Sequence, residues 1–108
     1  TWTTNVLGPH LLTYLLADAL RAVGSARVVN VVSQLAGGLD LNDVEMTRRY
    51  EGVAAYRHSK QALRMLTWAF AERFAGSGVT VNAVHPGVVK TNIAMKGTGF
   101  SGSFYKAF

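Results

Sequence analysis

The sequence predicts an α/β fold, a portion of a Rossmann-type doubly wound parallel sheet in the order helix, strand, helix, strand, loop. Three observations carry that expectation. Two short runs, 26–32 and 79–84, are rich in β-branched residues and almost continuously apolar, as strands buried on both faces of a parallel sheet are. Two longer segments place apolar residues at helical spacing. One of these lies between the two strands, which makes a strand–helix–strand crossover of the right-handed kind.

The elements follow in order. Leu11, Leu12, Leu15, Leu16, Ala19, Leu20 and Val23 predict one long helix over about 4–23. Thr3 or Thr4 caps it, and Pro9 stands near its first turns. Gly24 and Ser25 stop it. The first strand spans 26–32 and ends at Ser33, with Gly37 and Gly38 turning the chain. Residues 34–52 read as an excursion with one helical turn capped by Asn42 or Asp43. A second helix over 54–75 carries Leu63, Leu66, Phe70 and Phe74 with Ala62 and Ala69 as small contacts. It stops at Gly76-Ser77-Gly78. The second strand ends at His85-Pro86-Gly87, and 88–108 read as a lid or loop. Within the first strand, Asn30 is expected to bond backbone groups.

Composition bounds the function. The chain has 108 residues, 49% of them apolar and 16% charged, which is globular and argues against disorder. That length makes one domain or part of one. The net charge of +5 comes from scattered Lys and Arg. No basic run is interleaved with aromatics, so no nucleic-acid partner is expected. Cysteine is absent and the three histidines are scattered, so no metal site is expected. No apolar run reaches the roughly 18 residues of a membrane span. The first residues carry neither an initiator Met nor a signal-peptide pattern, so the chain is expected to begin inside a longer protein.

Candidate chemistry centres on Tyr56 and Lys60. On a helix, positions i and i+4 share a face, and a nearby cation favours the phenolate of a tyrosine. Such a pair makes a general acid/base from a phenol. Ligands in an open parallel sheet bind beyond the carboxyl ends of the strands. Ser33 and Pro86-Gly87 lie at those two ends, and the helix bearing Tyr56 starts on the same rim. His58 and His85 are given no catalytic role, because isolated histidines are more often structural or exposed.

These stretches resemble a known family. Asn5-x-x-Gly8, Val29-Asn30-Val31-Val32-Ser33 with Gly37, Tyr56-x-x-Ser59-Lys60, and Asn82-Ala83-Val84-His85-Pro86-Gly87 with Thr91 are similar in order and spacing to the short-chain dehydrogenase/reductase family. The Val84-His85-Pro86-Gly87-Val88-Val89 stretch and the long separation of Ser33 from Tyr56 resemble its retinol-dehydrogenase-like and WW-domain-oxidoreductase-like branch. The resemblance implies roles. Tyr56 is the acid/base for the substrate oxygen. Lys60 binds the nicotinamide ribose and makes the phenol easier to deprotonate. Ser33 orients the substrate oxygen, and Asn5 holds a water in the proton relay. Tyr56, Lys60, Pro86, Gly87, Val89 and Thr91 are the cofactor-binding set. The implied activity is NAD(P)-dependent interconversion of an alcohol and a carbonyl, with NADP favoured over NAD by the branch. Val32 departs from the pattern, since many members carry an extra Ser there.

A larger departure concerns the phosphates. There is no G-x-x-x-G-x-G after a strand and no Asn-Asn-Ala-Gly. The N-terminal βαβ units of the fold are therefore expected to lie outside this chain, leaving 1–108 as the C-terminal catalytic part of a single Rossmann-like domain. Alone, such a part is expected to bind cofactor poorly and to turn over little. Phe100, Phe104, Tyr105 and Phe108 suggest an apolar substrate, and a cytoplasmic setting is expected. The alternative is a non-catalytic remnant that serves as a dimerisation or binding module. The resemblance also implies a surface for pairing with a second copy on the two long helices.

Overall fold

The computed structural model describes residues 1–87. It holds a π-helical turn at Thr3–Leu7, α1 at Gly8–Leu15, α2 at Ala17–Val23, β1 at Ala26–Val31, α3 at Gly52–Arg73 and β2 at Val79–Val84. The two strands pair in parallel, from Ala26 opposite Val79 to Val31 opposite Val84. The Val32 N–H donates to the Val84 carbonyl at 2.8 Å and carries the ladder one residue further. The α/β class and the strand–helix–strand unit are as the sequence predicts.

The single first helix is not. It is three pieces, and Pro9 is the reason for the first division. Proline has no N–H, so it cannot supply the α-helical donor to the carbonyl of Asn5, four residues back. The chain instead widens into a π-turn in which the Gly8 N–H donates to the Thr3 carbonyl. A regular helix then restarts at Gly8, which puts Pro9 within its first turn, where a missing N–H is harmless. Leu16, at φ −88° and ψ −1°, separates α1 from α2. Neither Thr3 nor Thr4 caps this segment, for the residue before the π-turn is Trp2 and no side chain bonds there. Gly24 ends α2 at φ +77°, the left-handed conformation that glycine adopts without strain.

Both helical layers lie on one face of the sheet. Phe70, Phe74, Val79 and Val81 form the buried core, with Ala17, Leu20, Ala26, Val28 and Ala71 packed against it. Phe74 is 1% exposed, and the Arg21 guanidinium lies 4.8 Å from its ring centroid. Full burial of such a side chain is worth about 2 kcal/mol. The strands are not covered on both faces, contrary to their composition. Burial alternates along β1, and Val29, Val31 and Val84 stand exposed. The cause is geometric: two strands with helices on one side leave the other side bare. Asn30 faces the helices and donates to the Thr67 hydroxyl at 3.0 Å rather than to backbone. Thr67 in turn donates to the Leu63 carbonyl.

The excursion between β1 and α3 contains no helical turn. The Asp43 carboxylate accepts from the Thr47 N–H, the Thr47 hydroxyl and the Arg48 N–H, which organises a loop instead of starting a helix. Those hydrogen bonds to Thr47, and then to Arg48, hold its carboxyl below the ordinary aspartate value. The cap of α3 is Glu51, whose carboxylate accepts from the Val53 and Ala54 N–H groups. At the opposite end of the sheet two turns meet. Gly78, at φ +82°, lies so close to Gly24 that any side chain there would run into the Gly24 carbonyl.

Candidate active site at the carboxyl ends of the strands

The first turns of α3 present Tyr56, Arg57, Ser59 and Lys60 beside the end of β1. Lys60 reaches back to the strand. Its Nζ donates to the Val31 carbonyl at 3.0 Å, two residues before Ser33. The same ammonium lies 5.7 Å from the Tyr56 ring centroid, as residues one turn apart on a common face should. Lys60 is half-buried, and burial lowers its pKa below the ordinary 10.5, because desolvation disfavours the charged form.

Asn5 joins the site through Ser59. Its Nδ2 donates to the Ser59 hydroxyl at 3.0 Å, and that hydroxyl donates to the Tyr56 carbonyl at 2.7 Å. Ser59 is fully buried. The half-buried Asn5 amide and the buried Ser59 hydroxyl thus bond each other and fix the π-turn against the turn of α3 that carries Tyr56. The backbone carbonyl of Asn5 is the one that Pro9 deprives of its α-helical donor. The sequence assigns no role to Ser59, although its spacing of three from Tyr56 on a helix was the signal.

Ser33 begins a turn in which the Leu35 N–H donates to its hydroxyl at 3.1 Å and the Ala36 N–H to its carbonyl at 3.1 Å. His58 packs beneath Gly38, its Nδ1 buried with no hydrogen-bond partner among the described residues. This is a packing position. Pro86 and Gly87 follow β2 on the surface, Gly87 at φ +76°. Val89 and Thr91 lie outside the described residues.

The residues do not all share one cavity. A cleft of about 440 Å³ at the strand ends is lined by Ser33, Gln34, Arg64, Trp68, Asn82 and His85 among others, and neither Tyr56 nor Lys60 borders it. The structure thus brings Lys60 beside the Tyr56 ring and links Asn5 through Ser59 to the backbone carbonyl of Tyr56, while Ser33 sits in a turn of its own at the end of β1. Among the described residues no cluster of potential metal ligands occurs, and no helix is long and apolar enough to cross a membrane.

Comparison with known proteins bears on this arrangement. A family profile described as short chain dehydrogenase matches residues 1–99. Human retinol dehydrogenase 13 is 43% identical over 106 residues, which are 95% of this chain and 32% of that protein. Mouse retinol dehydrogenase 12 is 45% identical over 91 residues, 82% of this chain and 29% of that protein. Human retinol dehydrogenase 14 is 38% identical over 91 residues, 82% and 27% respectively. The chain spans about a third of the length of the curated relatives it matches. No solved structure matches it.

Proposed function

The chain belongs to the short-chain dehydrogenase family, and on that footing we propose that it is the catalytic part of an NAD(P)-dependent oxidoreductase that interconverts an alcohol and a carbonyl. The observation that carries the proposal is Lys60, a half-buried ammonium held beside the Tyr56 ring by the carbonyl of Val31. We read residues 1–108 as the C-terminal part of one Rossmann-like domain. The substrate is a small alcohol or carbonyl of apolar character, and the relatives' name is that of retinol dehydrogenases.

The residues present fit one end of a nicotinamide dinucleotide. Lys60 supplies a cation at the strand end for ribose hydroxyls, and Pro86, Gly87, Val89 and Thr91 are the segment to line the nicotinamide, NADP being favoured over NAD. The cofactor, when bound, supplies or accepts the hydride. The chain's own residues move the proton. In reduction the Tyr56 hydroxyl gives its proton to the substrate oxygen, and in oxidation the Tyr56 phenolate takes the proton of the alcohol. The Ser33 hydroxyl orients the same oxygen. Asn5, whose carbonyl Pro9 leaves without an α-helical donor, is the residue that holds a water of the proton relay. Nothing in residues 1–87 resembles a glycine-rich phosphate cradle at a helix N-terminus, so the grip on the pyrophosphate falls to sequence outside this stretch.

In the whole protein carrying this chain, Tyr56→Phe is expected to abolish NADPH-dependent reduction of an apolar aldehyde such as nonanal. NADPH affinity, read by fluorescence titration, should stay nearly unchanged. Retained turnover would remove Tyr56 from the role. The exposed Leu11, Leu12, Leu15 and Leu16 favour a second reading, a non-catalytic module that pairs with another copy. An in-frame glycine-rich loop upstream of Thr1 in the coding region decides for the enzyme, and its absence decides for the module. We propose a cytoplasmic setting, which cell fractionation tests.

A further inference from the structure

The loop that follows Ser33 is fastened to the two residues that follow Tyr56. The Arg57 Nε donates to the Leu35 carbonyl at 3.0 Å. The Gly37 N–H donates to the Arg57 carbonyl at 3.2 Å. At Gly38, φ +71°, an added Cβ would come 3.1 Å from the His58 Nε2, so glycine is what allows the loop to lie this close. Leu35 stands between these contacts and Ser33. Its carbonyl accepts from Arg57, and its N–H donates to the Ser33 hydroxyl oxygen at 3.1 Å.

That last bond bears on chemistry. A serine hydroxyl has one proton and two lone pairs. When a backbone N–H occupies one lone pair, the O–H bond must point away from that amide, toward another acceptor. The rotamer of Ser33 and the direction of its proton therefore depend on where the Leu35 peptide sits. We propose that Arg57 is a positioning residue for the Ser33 hydroxyl, acting through the Leu35 peptide. It couples the loop after β1 to the same turn of α3 that carries Tyr56. Ser33 and Tyr56 are thereby set relative to each other, although they lie on separate elements and do not share the cleft at the strand ends. The guanidinium suits this task, because its Nε–H lies in a rigid plane, whereas a lysine ammonium swivels on a flexible stem. The proposal rests on the reading of Ser33 as the hydroxyl that orients the substrate oxygen.

The test uses the whole protein, NADPH and nonanal, with the variants Arg57→Met, Ser33→Ala and both together. Arg57→Met is expected to lower kcat about fivefold, the effect of one hydrogen bond, with the KM for NADPH unchanged. In the Ser33→Ala background it should have no further effect, since a residue that acts through Ser33 has nothing left to act on. Arg57→Lys should not restore the rate. Losses that multiply in the double variant overturn the proposal, because they would mean that Arg57 supports the fold independently of Ser33. A second measurement needs no turnover. Backbone amide exchange at Leu35 should quicken in Arg57→Met while the amides in the middle of α3 are unaffected, and unchanged Leu35 exchange overturns the proposal outright. Faster Leu35 exchange in a protein whose wild type shows no turnover overturns the catalytic reading of Ser33 but leaves the tether intact, so the two failures are distinguishable.

Discussion

Lys60 joins burial to charge at the scale of a single residue. Its folded pKa lies below the ordinary 10.5 because burial penalises the ammonium. The unfolded chain therefore holds that proton more tightly than the folded chain does. Below the folded pKa the penalty is present in full, and it is relieved as pH rises from that value toward 10.5. Lys60→Met removes the titrating group. The stability of the variant minus that of the wild type, from urea midpoints, should decline as pH rises through that window. A constant difference would show that the ammonium is not desolvated. At this scale the sequence made the pair legible, because Tyr56 and Lys60 are four apart on a helix. It did not make their supports legible. The Val31 carbonyl and the Ser59 hydroxyl are contacts between elements, and no local spacing encodes which carbonyl a lysine will reach.

At the scale of elements, the periodic segments were readable and their interruptions were not. α3 forms nearly where its apolar stripe and Gly76-Ser77-Gly78 place it. Its cap is Glu51, which propensity ranks behind Asn and Asp, and Asn42 and Asp43, expected to cap a helical turn within the excursion, lie in a loop that contains none. The first helix divides because Pro9 lies too far along a helix starting at residue 4 to be harmless. The period of the leucines runs through the break and conceals it. Gly78 offers the sharpest test here. Its positive φ and its approach to the Gly24 carbonyl both exclude a side chain. Gly78→Ala should destabilise the fold by about 2 kcal/mol or more, read as a lowered urea midpoint. Gly76→Ala, also at positive φ but with nothing near its Cβ, should cost less. Equal losses would mean that backbone conformation alone accounts for Gly78.

At the scale of the molecule, the apolar composition that predicted doubly buried strands describes more contacts than residues 1–87 make. Val29, Val31 and Val84 on the sheet and Leu11, Leu12, Leu15 and Leu16 on α1 and its end are exposed. Apolar surface of this extent marks a surface that other chain covers or an association hazard. The 108-residue chain alone is expected to self-associate as concentration rises, which sedimentation velocity would report. A monomer with one sharp unfolding transition would contradict this. The parallel ladder has a further consequence, in time rather than in space. Every partner of β1 in β2 lies beyond the whole of α3, and closing so long a loop must precede any gain from pairing. On the ribosome, α1, α2 and α3 are all made before Val79 emerges. Until then Phe70 and Phe74 have no β2 to pack against, so a nascent chain paused just short of β2 is a ready client for chaperones that bind apolar surface.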